Sequence, residues 1–95
     1  MDTHSAATSL EALGSPVRLE IFRLLVRAGP TGAAVGELQT HLNIPASTLS
    51  HHIAKLVRVG LVTQERQSRS LICRANYPHM ASLLSYLQEH CCEGL

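Results

Sequence analysis

Aromatic side chains are scarce, with two tyrosines, one phenylalanine and no tryptophan in 95 residues. A core made from this chain must be mostly Leu, Val, Ile and Ala. Long apolar runs are missing too. None approaches the roughly 20 residues that a membrane helix needs, so no membrane partner is expected. Met1-Asp2-Thr3-His4-Ser5 has neither the basic start nor the apolar core of a secretory signal, and the expected location is the cytoplasm. Cysteine is sparse and odd in number: Cys73, Cys91 and Cys92. An odd count in a cytoplasmic chain argues against a disulfide scaffold and for free, ligating or redox-active thiols. Enzymatic signatures are absent as well. There is no paired-carboxylate arrangement, phosphate loop or complete metal motif. Ser50, His51 and His52 are consecutive on one helix and cannot form a nucleophile, base and orienter by themselves.

The length fits one domain, residues 1–95. Its core is small enough that sharing apolar surface with a second copy would help. Net charge is only +1, but it is unevenly spread. Residues 45–77 carry +4, from Lys55, Arg58, Arg66, Arg69 and Arg74 against Glu65, while residues 1–44 carry −1 and residues 78–95 carry −2. A basic segment between acidic ends is the footprint of nucleic-acid binding. Without it, a protein-interaction module would be the competing reading.

The basic segment has internal order. Leu49, Ile53 and Leu56 recur at helical spacing and form one apolar stripe. Ser47, Thr48, Ser50, His51 and Lys55 lie off that stripe, and their side chains suit base edges and phosphates. His52 borders the stripe and is expected at the core edge. The alternative for the serines is capping of the helix start. Gly60 ends the helix, and Leu61-Val62-Thr63 turns to strand composition. Arg66 and Arg69 come next, at the tip of a hairpin with strands 61–66 and 70–76, where they would hold phosphates or reach the minor groove.

Upstream, residues 6–13 form a short helix with Leu10 and Leu13 on one face. Ser15 caps and Pro16 opens a second helix running to Ala28, with Val17, Ile21, Leu24, Leu25 and Ala28 as its stripe. A third helix, 34–42, carries Val35, Leu38 and Leu42, and Asn43-Ile44-Pro45 connects it tightly to the fourth. Third helix, turn and fourth helix make a helix-turn-helix. A last helix, 78–92, has Met80, Leu83, Leu84, Leu87 and Cys91 in line. The predicted architecture is mainly α with a small β-wing, a winged helix-turn-helix of order ααααββα. Apolar faces on the first and last helices predict a homodimer through them.

Leu13-Gly14-Ser15-Pro16-Val17-Arg18-Leu19-Glu20-Ile21-Phe22-Arg23-Leu24-Leu25, and Ser50-His51-His52-Ile53-Ala54-Lys55-Leu56 with Gly60-Leu61-Val62, resemble the two signatures of the ArsR/SmtB winged-helix repressors. The resemblance covers nearly the whole chain. It implies a dimeric cytoplasmic repressor that leaves double-stranded operator DNA when a metal, metalloid or redox signal arrives. It also implies that Ser47, Ser50 and His51 face the major groove, with Thr48 and Lys55 in support.

The resemblance permits several signal sites. The arsenic site on the third helix needs cysteines, and Val35–His41 has none. The zinc site on the last helix is matched by His79, His90 and Glu93, but Tyr77 stands where its Asp would be. The adjacent Cys91 and Cys92 resemble the Cys-Cys pair of arsenical-responsive members. Thiophilic ligands favour thiolates. Arsenite exchanges three positions and a methylated trivalent arsenical only two, so a thiol pair alone favours methylarsenite. In a regular helix neighbouring side chains diverge by about 100°, so the pair can share one arsenic atom only where the helix end unwinds. Cys73 is a possible third ligand, otherwise a small buried residue. Zinc sensing, thiol redox and a regulator without a metalloid ligand stay open as alternatives.

Overall fold

Ser15 accepts a hydrogen bond from the Arg18 backbone N–H, and Pro16 occupies the first helical position. Together they start helix α2, Pro16–Ala28, where the sequence places it. Ile21, Phe22 and Leu25 of α2 are buried, while Val17, Leu24 and Ala28 are partly covered. The computed structural model describes residues 1–95.

Before α2 lies α1, Thr3–Leu13, which begins three residues earlier than its apolar pattern. Asp2 is the cause: its carboxylate accepts from the Ser5 N–H at 2.8 Å and caps the helix. The covered face of α1 is also not the predicted one. Ala6, Ser9 and Ala12 are buried, Leu13 is partly covered, and Leu10 remains 42% exposed.

After α2 the chain forms β1, Ala33–Ala34, then α3, Val35–Leu42, which closes on a left-handed Asn43. Helix α4 spans Ala46–Arg58. Strands β2, Val62–Gln67, and β3, Ser70–Ala75, pair antiparallel from Val62↔Ala75 to Gln67↔Ser70. The hairpin tip is therefore two residues, Ser68 and Arg69. Strand β1 is an addition to the predicted order. It pairs with β3 through Ala33↔Cys73 and Ala34↔Ile72, giving sheet order β1-β3-β2 with β3 central.

The last helix, α5, spans Tyr77–Gln88 and is four residues shorter at its C-terminal end than its stripe suggests. Residues 89–93 are turns and a bend, with His90 and Cys92 at φ of 58° and 66°. Of the predicted stripe, Leu83 is buried and Met80 partly covered, but Leu84 and Leu87 are 52% and 57% exposed. The interior of the protomer thus gives no reason for α5 to continue. No helix is long and apolar enough to cross a membrane.

The core joins Ile21, Phe22 and Leu25 to Leu38, to Leu49, Ile53 and Leu56 of α4, and to Leu61, Val62, Cys73 and Ala75 of the sheet. Each large aliphatic side chain buried here contributes about 1.5–3 kcal/mol of transfer free energy. The three from α4 fix which way its opposite face points. Its other side is left to solvent.

Candidate nucleic-acid interface and C-terminal thiol pair

Helix α4 begins after Pro45 with no side-chain cap. Ser47 and Thr48 therefore do not serve as caps, and Ser47, Thr48, Ser50 and His51 are all exposed. Lys55 is partly covered. His52 sits at the core edge, as its place beside the stripe predicts, with its ring 5.9 Å from that of His51.

A groove of about 470 Å³ runs between the start of α3, the outer face of α4 and the hairpin. It brings together Ser50, Gln64, Arg66 and Arg69, which the sequence separates by up to 19 positions. Both arginines are exposed. Arg74 is different. It donates to Glu65 at 2.7 Å and to the Pro30 carbonyl at 2.9 Å, so its charge is committed within the sheet and to the loop after α2. Arg74, the first cause, and Gln67 both donate to the Glu65 carboxylate and hold it below its ordinary value. The free cations of this segment are therefore Lys55, Arg58, Arg66 and Arg69. We expect Arg66→Ala or Arg69→Ala each to reduce the slope of log K against log salt for duplex DNA by about 1 without shifting the melting temperature. Fluorescence anisotropy across a salt series reads this, and an unchanged slope counts against phosphate contact at the wing.

The candidate ligand residues fall into three places. Cys73 is fully buried on β3, where Gln64 Nε2 approaches its Sγ at 3.5 Å and burial pushes its thiol up. His79 is partly buried at the start of α5, with Nε2 2.9 Å from the Oγ of the buried Ser9 on α1. It serves as a tie between the two terminal helices. Tyr77, at the position of the missing Asp, donates to the carbonyls of Leu25 and Val26 at 3.3 and 3.2 Å, near the end of α2. Those carbonyls belong to the last turn, which has no onward helical partners.

His90, Cys91, Cys92 and Glu93 lie beyond α5 and are exposed. His90 Nδ1 is 2.8 Å from Glu93 Oε2. The two sulfurs of Cys91 and Cys92 are 3.1 Å apart, and both residues are free thiols. The divergence of a regular helix does not apply, because the helix has already ended. The hydrogen bond with Cys92, and to a lesser extent desolvation, raise the Cys91 thiol above its ordinary value. Within one chain, no three His, Cys, Asp or Glu side chains converge on a common point.

Sequence reasoning missed one group beside the interface. Arg18 Nε donates to the Ala12 carbonyl at 2.6 Å, and its Nη1 lies 3.3 Å from His52 Nδ1. Only tertiary structure brings residues 34 positions apart together, so no local pattern announces the pair.

Comparison with known proteins agrees with this geometry. The pattern of a helix-turn-helix domain matches residues 13–65. The chain is 35% identical over 101 residues to the HTH-type transcriptional regulator NmtR of Mycobacterium tuberculosis, covering all of this chain and 82% of that protein. It is 31% identical over 80 residues to the HTH-type transcriptional repressor SmtB of the same organism, covering 84% of this chain and 57% of that one. In fold it is similar to an ArsR-like transcriptional regulator from a Rhodococcus species, with a TM-score of 0.81 at 23% identity over 95% of this chain and 82% of that one. The chain belongs to the ArsR/SmtB family of helix-turn-helix transcriptional regulators.

Proposed function

We propose that this protein is a homodimeric repressor that leaves its operator when a trivalent arsenical bridges Cys91 and Cys92. The observation that carries this reading is the 3.1 Å separation of two exposed sulfurs outside any helix. Two metal–thiolate bonds of about 2.3 Å meeting near a right angle span roughly 3.3 Å, so one arsenic atom fits between these sulfurs with little movement. Methylarsenite, CH₃As(OH)₂, exchanges both hydroxyls for the two thiol sulfurs and releases two waters. Its methyl carbon fills the third position, so no third protein ligand is required. Arsenite would need one more thiol, and Cys73 is fully buried in the core.

Dimerisation is supported by the apolar surface left on the terminal helices. Leu10, Leu84 and Leu87 are exposed, and an apolar groove of about 370 Å³ runs beside them between α2 and α5, lined by Leu13, Leu19, Phe22 and Leu84 among others. Leu84→Glu/Leu87→Glu is expected to sediment as a folded monomer at concentrations where the wild-type chain is a dimer. A variant that still sediments as a dimer moves the interface elsewhere. In the dimer each α4 would enter a major groove, with half-sites about 10–10.5 base pairs apart.

The test is anisotropy of a labelled duplex, selected from a random pool by repeated binding to this protein, titrated in parallel with methylarsenite, arsenite, zinc and hydrogen peroxide. Release by methylarsenite well below the arsenite concentration supports the two-thiol site. Release by arsenite at similar concentration requires a third ligand, with Cys73 the first to examine. Release by zinc alone moves the site to His79, His90 and Glu93, completed across the dimer. Release by peroxide alone makes the pair a redox element, with two electrons passing to the peroxide as the sulfurs join. No release leaves a regulator without a metalloid ligand.

A further inference from the structure

We infer that Arg18, acting through the imidazole of His52, is the positioning residue that sets the recognition helix α4 against α1, and that protonating His52 releases this hold and lowers sequence selectivity. The inference rests on DNA binding and not on the thiol pair, so its test contains no arsenical.

A single guanidinium makes both connections. Its Nε satisfies the Ala12 carbonyl in the last turn of α1, which otherwise lacks an onward helical partner. Its Nη1 reaches His52 Nδ1 on α4 at 3.3 Å. Guanidinium groups donate only, so Nδ1 must be the acceptor, and the ring is the neutral tautomer with its proton on Nε2. His52 is the next residue after His51 and lies two residues after Ser50. A small rotation of α4 about this point would carry both away from the base edges they would face on operator DNA.

Protonation removes the acceptor and sets a second cation against Arg18. The surrounding groups do not relieve it. On α4 the neighbours are His51 and Lys55, both cationic or able to become so. On α1 the nearby carboxylate is Glu11, which lines a notch with Lys55 and Arg58 and forms no ion pair. On β2, which α4 also packs against, the only carboxylate is Glu65, and it is held by Arg74. Burial first, then the charges of Arg18, His51 and Lys55, keep the His52 ring below its ordinary value of 6.5. Above pH 6.5 the ring is neutral in both folded and unfolded chains, and its contribution to the native arrangement is complete. As pH falls through 6.5 towards the lowered native value, the unfolded chain takes up the proton first and that contribution is lost.

The readout is a ratio, the affinity for the selected duplex over that for a scrambled duplex of equal length, at fixed salt. Added positive charge sustains binding to any phosphate backbone, so only the ratio isolates positioning. For the wild-type protein the ratio is expected to fall about tenfold as pH drops from about 7.5 through 6.5 and past the lowered native value, the size of one hydrogen bond to a charged group. Arg18→Gln should show that lower ratio already at the higher pH and a flat profile below it. His52→Asn, which keeps an acceptor near the position of Nδ1 but cannot take up a proton, should match wild type at the higher pH and stay flat. Circular dichroism checks that each variant is folded, and should His52→Asn fail that check, the Arg18→Gln profile decides alone. A wild-type ratio independent of pH, an Arg18→Gln profile equal to wild type, or a His52→Asn profile as steep as wild type would each overturn the inference. Loss of binding to both duplexes in the wild-type protein would overturn DNA binding itself and this inference with it.

Discussion

Cys91→Ser/Cys92→Ser is expected to bind the selected duplex as tightly as wild type and to keep it at methylarsenite concentrations that strip the wild-type protein. The reasons are separable. Both side chains are exposed and lie past the end of α5, so their loss should move stability by no more than about 0.5 kcal/mol. A serine oxygen is a hard donor and does not replace a thiolate toward a soft centre. The coupling lost is that between the inducer and operator sites, typically about 1–3 kcal/mol or about 5- to 150-fold in operator affinity. Either single variant should fail almost as completely. One remaining As–S bond gives up the high local concentration that the second sulfur, 3.1 Å away, provides. Intact mass after mild treatment offers a second reading: wild type gains one methylarsenic group with loss of two thiol hydrogens, and the double variant gains none. Operator release by the double variant would end the proposal for this site.

Gly32→Ala is expected to be the most damaging single methyl in the chain. Gly32 has φ of +73°, where a side chain is strained whatever the space around it. Here there is no space. A Cβ would stand 2.4 Å from the Cys73 carbonyl oxygen and 2.7 Å from Arg74 Cγ. The first of these is backbone of the central strand, which cannot retreat without breaking its pairing with β1 or β2. The expected loss is about 3 kcal/mol or more, equivalent to a fall in melting temperature of roughly 15 °C for a domain of this size. Gly36→Ala is the matched control. Gly36 lies in α3 with nothing within 4 Å of its added methyl, and alanine there should be neutral or stabilising by up to about 1 kcal/mol. Thermal unfolding followed by circular dichroism separates the two. Equal melting temperatures would mean that β1 and β3 do not meet as described.

Gly32 also shows why β1 could not be read from sequence. Ala33 and Ala34 have low strand propensity and no alternating pattern; they form a strand because the glycine lets this segment reach the edge of β3. By contrast, α2 was legible to the residue, since Ser15, Pro16 and Gly29 are local signals and Ile21 and Leu25 repeat at helical spacing. Helix α4 was legible for the same reason: three buried aliphatics recur at the helical interval. The end of α5 was not. Cys91 continues the apolar spacing of Leu84 and Leu87, but those leucines are exposed in the protomer and impose no helix on residues 89–93. Asp2 caps α1 ahead of any apolar repeat, so the helix start was hidden. Within the site, the exposed hydroxyl and imidazole face of α4 could be inferred residue by residue. The commitment of Arg74 to Glu65, and the link from Arg18 to His52, depend on which chain segments the fold brings side by side.

Past Gln88 the chain is outside the packed body, and the thiols there need no breathing of the fold to meet a small molecule. On the proposed function, capture would therefore be paced by collision and thiol ionisation and not by opening of the fold. The hydrogen bond with Cys92 raises the Cys91 thiol above its ordinary value, which disfavours the thiolate that the first As–S bond of the proposed function would use. The second sulfur, 3.1 Å away, would then be in reach to close the ring. On the proposed function, an arsenical held by both sulfurs would leave far more slowly than one held by a single thiol, because both bonds must open together.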